Sequence, residues 1–222
     1  MNGSLERPNA IFFDWDGTLV DSVPLIRAGY DDLYAHYGLP PITMDQLARN
    51  MRNSARELFP QIFGDQAAQA LAHFYDYIHA HHFDHLIPYD GALDFLKSIH
   101  GKGLKTAIVS NRKHELLSEE IPHLGWSNHV DFIVGAGKCA RDKPAPDQLL
   151  YAAEELGIDP KTQVIWYVGD SETDLIAANH AHMIPIFIEH GLRSLDDCHA
   201  AGLDPVHVVD IAALKLQLEA LF

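Results

Sequence analysis

The stretch Ala10-Ile11-Phe12-Phe13-Asp14-Trp15-Asp16-Gly17-Thr18-Leu19 decides how this 222-residue chain is read. Four consecutive apolar residues form a strand-sized run that is apolar on both faces, which is the pattern of a strand covered from both sides. The run ends in two carboxylates one residue apart, followed by Gly17, a residue suited to the turn that takes the chain out of a strand.

Working outward, further strand-sized runs lie at Thr106–Val109, Phe132–Val134, Val164–Val168, Pro185–Ile188 and Val206–Val209. Helical spacing separates most of them. Leu93 and Leu96 precede the second run, Leu116, Leu117 and Ile121 follow it, and Leu149, Leu150, Ala153 and Leu156 form a stripe that Gly157 is placed to stop. Buried strands alternating with helices imply an α/β fold with a doubly wound, mainly parallel sheet. Residues 22–87 break the rhythm: they contain helical patterns and no convincing strand. One stripe carries Ile26, Tyr30, Leu33 and Tyr37, a second Leu47 and Met51, and a third Leu58, Ile62 and Phe63. A fourth, capped near Asp65, carries Ala68, Leu71, Tyr75 and Ile78. The expected organisation is an α/β core of residues 1–21 and 88–222, with an all-helical insertion over 22–87. An insertion behind the first strand would hang over the rim where open α/β sheets bind ligands.

Composition narrows the partners. Sixteen basic against thirty-one acidic residues give a net charge of −15, the wrong sign for a nucleic-acid backbone or an anionic bilayer. No apolar run approaches the roughly 18 residues of a membrane span, and the opening MNGSLERPN lacks the apolar segment of a secretory signal. Two cysteines, Cys139 and Cys198, exclude a disulfide framework and suit the cytoplasm.

The predicted strand ends carry the chemistry. They are Asp14 and Asp16 after the first run, Ser110-Asn111-Arg112 after the second, and Gly169-Asp170-Ser171-Glu172-Thr173-Asp174 after the fourth, with Lys143-Pro144 before a helix at Asp147. In a parallel sheet these segments share one rim. Clustered carboxylates repel by roughly 1 kcal/mol per pair at 4 Å in water and about 4 near a protein surface, so the set calls for a hard divalent cation. Lys143 and the Ser110 hydroxyl supply what carboxylates cannot, a binding site for a phosphate dianion. A carboxylate nucleophile with a second carboxyl group as acid and base is then sufficient for phosphoryl transfer.

Asp14-x-Asp16-Gly17-Thr18-Leu19-Val20-Asp21-Ser22, Ser110-Asn111, Lys143-Pro144 and Gly169-Asp170-x-x-x-Asp174, in this order, resemble the four signatures of the haloacid dehalogenase superfamily of phosphohydrolases. The resemblance implies a Rossmann-like core and a type 1 helical cap at the insertion. It implies Asp14 as nucleophile and Mg²⁺ ligand, and Asp16 as general acid/base with its backbone carbonyl on the metal. Ser110, the Asn111 amide and Lys143 would bind phosphate. Asp170 would complete the metal site, and Asp174 would stand behind it or pair with Lys143. An acid at position 16 favours phosphate esters over carbon–halogen bonds. The run Val168-Gly169-Asp170-Ser171-x-x-Asp174-x-x-x-Ala178 is most similar to phosphoglycolate phosphatases. Sugar phosphate mutases of β-phosphoglucomutase type, which tend to carry an acidic residue where Gly169 stands, are the alternative.

The expectation is a Mg²⁺-dependent phosphatase, working through an aspartyl-phosphate on a small phosphorylated metabolite, as a monomer or homodimer. Arg112 at the second strand end, and Arg49 and Arg52 between two insertion helices, are candidates for a second anionic group on the substrate. The crowded His79, His81, His82 and His85 read chiefly as a solvated helical face, with His81 and His85 the pair spaced to share a metal. Cys139 reads as a small inert side chain, and Tyr30, Tyr34, Tyr37, Phe74 and Tyr75 as insertion core or a dimer face.

Overall fold

The computed structural model describes residues 5–222; residues 1–4, where the stretch read as lacking a secretory signal begins, lie outside the described residues. Strand β1 (Ala10–Phe13) is fully buried along its length. Ile11 and Phe13 point to one side of the sheet, against Phe95, Leu96 and Ile99. Ala10 and Phe12 point to the other, against Leu149, Ala152 and Ala177. Burial on both faces is the physical reason for an apolar run without alternation, and each such Ile or Phe contributes about 1.5–3 kcal/mol.

Beyond the Asp14–Leu19 turn, β2 (Val20–Asp21) leads into four helices, α1 (Val23–His36), α2 (Met44–Asn50), α3 (Ala55–Phe63) and α4 (Ala67–His81). The chain returns through β3 (Ile87–Pro88), which pairs antiparallel with β2, Val20 opposite Pro88 and Asp21 opposite Ile87. The two crossings are thus tied to each other. The helices surround their own apolar centre of Leu25, Tyr30, Leu33, Phe59, Phe74 and Ile78. Tyr30, Tyr34 and Phe74 therefore serve as interior residues.

Several sequence expectations inside the insertion shift. The buried face of α4 is Ala70, Phe74 and Ile78, so that of the expected stripe Ala68, Leu71, Tyr75 and Ile78 the last alone is fully buried. The face of α3 centres on Phe59, while Ile62 is exposed. Asp65 caps nothing: it lies in a 3₁₀ turn, Gly64–Gln66, and α4 begins at Ala67. In these apolar-rich helices several stripes satisfy the 3.6-residue period, and packing against α1 selects among them.

The rest alternates. α5 (Ala92–Gly101) and β4 (Lys105–Lys113) are followed by α6 (His114–His123), β5 (Phe132–Ala136), α7 (Asp147–Glu155) and β6 (Ile165–Gly169). Then come α8 (Glu172–His180), β7 (Ile184–Ile188), α9 (Leu195–Ala200), β8 (Val206–Val208) and α10 (Ile211–Glu219). The six long-range strands form one sheet, ordered β5-β4-β1-β6-β7-β8 and parallel throughout. From β1 the chain builds outward through β4 and β5, then returns to build the other side, so the strand order reverses at β1. That switch point opens a crevice at the C-terminal strand ends. Helix α6 faces two ways, Leu117 and Ile121 into the sheet's core and Leu116 into the insertion.

β4 runs further than its apolar segment, and Ser110-Asn111-Arg112 lie within it rather than after it. The ladder with β5 slips there: Val109 pairs with Val134 but Lys113 with Ala136, so four residues on β4 advance against two on β5. Such a bulge re-aims side chains at a strand end.

Candidate active site

Asp14 follows β1 directly, and its backbone N–H donates to the Val168 carbonyl at 2.9 Å, holding it beside β6. Asp170 follows β6 and Asp174 sits in the first turn of α8. The side chains of Asp14, Asp170 and Asp174 are all buried and bring one oxygen each within 4.8 Å of the others. Lys143, also buried, reaches this group from the loop before α7. Its Nζ lies 2.9 Å from Asp14 Oδ1 and 2.7 Å from Asp174 Oδ1.

The lysine is itself aimed. Nζ donates to the Tyr167 hydroxyl at 2.8 Å, and that hydroxyl donates to the Val109 carbonyl at 2.7 Å. The Asn111 side chain grips the Lys143 backbone in both directions, Nδ2 to the carbonyl and the Lys143 N–H to Oδ1, each at 2.9 Å. Asp174 has its second oxygen engaged by the Ser171 N–H at 3.0 Å, so the N-terminal cap of α8 also fixes the Lys143 partner.

Three carboxylates around one ammonium leave excess negative charge in a buried place. Burial, opposed by Lys143, pushes the Asp14 carboxyl up to about 7. Burial and the neighbouring Asp174 and Asp14 charges push Asp170 well above the usual carboxylate range. Space around Asp170 is kept by glycine: a Cβ on Gly17 or on Gly191 would collide with its carboxylate. Gly17 adds a second reason, since its φ is +79°. Clustered hard oxygens, unbalanced charge and a cradle that admits no side chain fit a divalent cation such as Mg²⁺. Asp16 is not one of the three converging carboxylates.

Asp16 instead turns toward Arg112, whose Nη1 donates to Oδ1 at 3.2 Å. Arg112 is buried and also donates through Nε to Glu120 Oε1 at 3.0 Å. Glu120 is a buried hub, since it accepts the Trp15 Nε1–H at 2.9 Å and lies 2.8 Å from His82 Nδ1. Burial raises the Asp16 carboxyl, and the Arg112 guanidinium acts against that rise. Arg112 thus lines the cavity beside Asp16, with its guanidinium already committed to two carboxylates. Ser110 is buried at the bulge, its Oγ accepting the Arg112 N–H at 3.2 Å.

The insertion closes over these groups. Ala48, Met51 and Arg52 line the cleft opposite Asp14, Ser110, Lys143 and Asp170. Arg52 pairs with Glu172 (Nη2–Oε1, 3.1 Å), and Arg193 joins Glu172 at 3.5 Å while donating to the Ala48 carbonyl at 3.1 Å. Arg49 is exposed at the end of α2 and is not among the residues lining the cleft. A second contact lies one residue from Lys143: buried Asp142 accepts from Ser54 Oγ at 2.5 Å and Arg56 Nε at 3.1 Å. Beside Asp16 a second cavity opens, walled by Ile26, Tyr30, Met51, Phe74, Ile78 and Leu116, with Asn50, Asn53 and Lys113 as polar groups.

Sequence reasoning had no signal for Tyr167, Glu120, Asp142 or Gly191. Each acts through a partner remote in the chain, and an acid on an amphipathic helix or a tyrosine in a strand reads as ordinary. The histidine segment also departs from its expectation. α4 ends at His81, so His81 and His85 do not share a helical face, and His82 is buried rather than solvated.

The haloacid dehalogenase-like hydrolase family profile matches residues 11–188. A phosphoglycolate phosphatase from Xanthomonas campestris pv. campestris is 33% identical over 194 residues, 86% of this chain and 87% of that protein. Phosphoglycolate phosphatase 1 of Pseudomonas aeruginosa is 29% identical over 185 residues, covering 78% of this chain and 66% of its own length, just under two thirds. Among solved structures, a haloacid dehalogenase-like family hydrolase from Streptococcus pneumoniae matches with a TM-score of 0.80 at 21% identity, over 96% of this chain and 97% of that one. At that identity the likeness speaks for the fold.

Proposed function

The chain belongs to the haloacid dehalogenase-like hydrolases, and from that premise we propose that it is a Mg²⁺-dependent phosphatase of small phosphate monoesters, akin to the phosphoglycolate phosphatases. The observation that carries the reading is the pairing of Asp14 with a buried, fixed cation, Lys143 at 2.9 Å, at the switch point of the sheet. Asp14 is the nucleophile. Its carboxylate forms a bond to phosphorus as the ester oxygen departs, giving an aspartyl-phosphate, and Asp16 delivers a proton to the departing oxygen. Asp16, then ionised, takes a proton from water as that water attacks the same phosphorus. Inorganic phosphate leaves and Asp14 is restored.

Burial lifts Asp16 toward the protonated form that the first step needs, while Arg112 stabilises the ionised form that the second needs. Ser110 and the Asn111 backbone amide hold the transferring group, and Lys143 offsets its charge. Asp14, Asp170 and the Asp16 backbone carbonyl would hold Mg²⁺, which when bound supplies positive charge against the carboxylates and the phosphoryl oxygens. Asp174 keeps Lys143 in place. Residues 22–87 act as a cap on the core of 1–21 and 88–222, hinged at the β2–β3 pair, and exclude water during transfer.

The cavity beside Asp16 receives the leaving alcohol. Arg52, the one of the two cap arginines in the cleft, reaches a second anionic group of the substrate by releasing Glu172. Gly169 bears against the mutase alternative, because a Cβ there would run into Asp174. No helix of the described residues is long and apolar enough to cross a membrane, and Cys139 and Cys198 are both free thiols, which suits a cytoplasmic enzyme.

The test is phosphate release from a panel of phosphorylated metabolites, phosphoglycolate included, with Mg²⁺ present and with Mg²⁺ chelated. Turnover with Mg²⁺ that stops on chelation is expected. Release from no monoester, or release indifferent to chelation, overturns the reading.

A further inference from the structure

Away from the cleft, α4 and α6 bring together a second set of metal-ligating atoms. His79 Nε2 lies 3.2 Å from Glu119 Oε2, His82 Nε2 lies 3.6 Å from the same oxygen, and each of the three residues brings one ligand atom within 4.8 Å of the others'. Four ligands at zinc bond lengths of 2.0–2.2 Å in a tetrahedron stand about 3.3 Å apart. The two ligand separations to Glu119 bracket that value.

The chemistry of His82 gives a second, independent reason. The residue is 1% exposed, and its Nε2 faces Glu119 Oε2 at 3.6 Å, beyond hydrogen-bond distance. Its other nitrogen, Nδ1, lies 2.8 Å from Glu120 Oε1. Glu120 also accepts N–H bonds from Arg112 and Trp15, so an Nδ1–H donated to it leaves Nε2 as the nitrogen placed to ligate a metal. Nε2 is the atom that faces Glu119, 3.6 Å away. A carboxylate that fixes the tautomer and orientation of a ligating imidazole is the usual support behind a zinc-bound histidine.

We propose that His79, His82 and Glu119 form a binding site for Zn²⁺ or a similar late first-row divalent ion, with a fourth position open to water. Two imidazoles and one carboxylate suit such an ion and not Mg²⁺, which prefers oxygen ligands alone. The site is separate from the carboxylates around Lys143, and it stands whether or not the phosphatase reading does. It also gives the histidine-rich segment a use that the phosphatase site does not absorb.

The experiment is calorimetric titration of Zn²⁺ into the tag-free full chain held in saturating Mg²⁺. It is repeated on His79→Ala, on Glu119→Gln and on Asp170→Asn, which alters only the active-site carboxylates. One Zn²⁺ per chain is expected, retained in Asp170→Asn and weakened more than about tenfold in His79→Ala and in Glu119→Gln. Cobalt(II) gives a second readout: visible bands of a four-coordinate ion appear in the parent chain and disappear in His79→Ala. Both His79 and Glu119 are exposed, so these variants keep the fold even if His82 tolerates no change. Absence of Zn²⁺ binding, binding unchanged in both surface variants, or binding lost only in Asp170→Asn would each overturn the proposal.

Discussion

The Lys143 ammonium stands 2.9 Å from Asp14 Oδ1, at a point where neither residue has free access to bulk water. Asp14 leaves the end of β1, whereas Lys143 comes from the loop ahead of α7 and is held there by Asn111 and Tyr167. A buried charge pair of this kind is worth little for stability while intact, but losing one member strands the other.

Lys143→Met is therefore expected to destabilise the metal-free protein by about 3–5 kcal/mol at pH 8, because Asp14 and Asp174 keep their burial and lose their counter-charge. The loss should shrink toward pH 5, where Asp14, raised to about 7 by burial, takes up a proton. Urea unfolding at the two pH values measures both; an unchanged midpoint at pH 8 would contradict the geometry.

Asp14→Asn preserves shape and removes the nucleophilic oxygen. Turnover should vanish while the circular dichroism spectrum stays that of the parent. Wild-type activity in this variant would remove Asp14 from the reaction.

Asp16→Asn keeps the hydrogen bond with Arg112 possible but cannot donate and recover a proton. A fall in kcat of roughly 10²–10⁴ is expected. A drop of less than tenfold would deny Asp16 its acid/base role.

Gly191→Ala places a methyl group where the Asp170 carboxylate sits. Asp170 must move, so Mg²⁺ affinity measured by titration should fall about tenfold or more, with the thermal midpoint of the metal-free chain nearly unchanged. Unaltered Mg²⁺ binding would mean Asp170 is not held as described.

Acidity and metal are coupled. Burial raises Asp14 from 3.8 to about 7, so between those values the folded chain retains a proton that the unfolded chain has released. Metal-free stability accordingly falls as pH rises through that window. Mg²⁺ favours the ionised forms of Asp14 and Asp170, both raised, so its gain in Tm should be larger at pH 8 than at pH 5.5, and binding near pH 6 should release at least one proton. Scanning calorimetry, with titrations in buffers of different ionisation enthalpy, checks both. Equal gains at the two pH values would be incompatible with a raised Asp14.

How much of this was legible beforehand depends on the range over which each feature is decided. Ala10–Phe13, buried on both sides, carries its environment in four adjacent side chains, so the parallel α/β core could be read from that run and its repeats. Asp14, Asp16, Ser110 and Asp170 were legible as one group because a parallel sheet brings strand ends to one rim by its topology, whereas Lys143, in the loop before α7, was legible only through the order of the motifs. The faces of α3 and α4, the commitment of Arg112 to Asp16 and Glu120, and the contact of His82 with Glu120 were not. Each depends on which distant side chain arrives at a given atom. Periodicity along the chain constrains direction around a helix to within a stripe, whereas hydrogen bonds and ion pairs are set by ångström separations that only the packed chain defines.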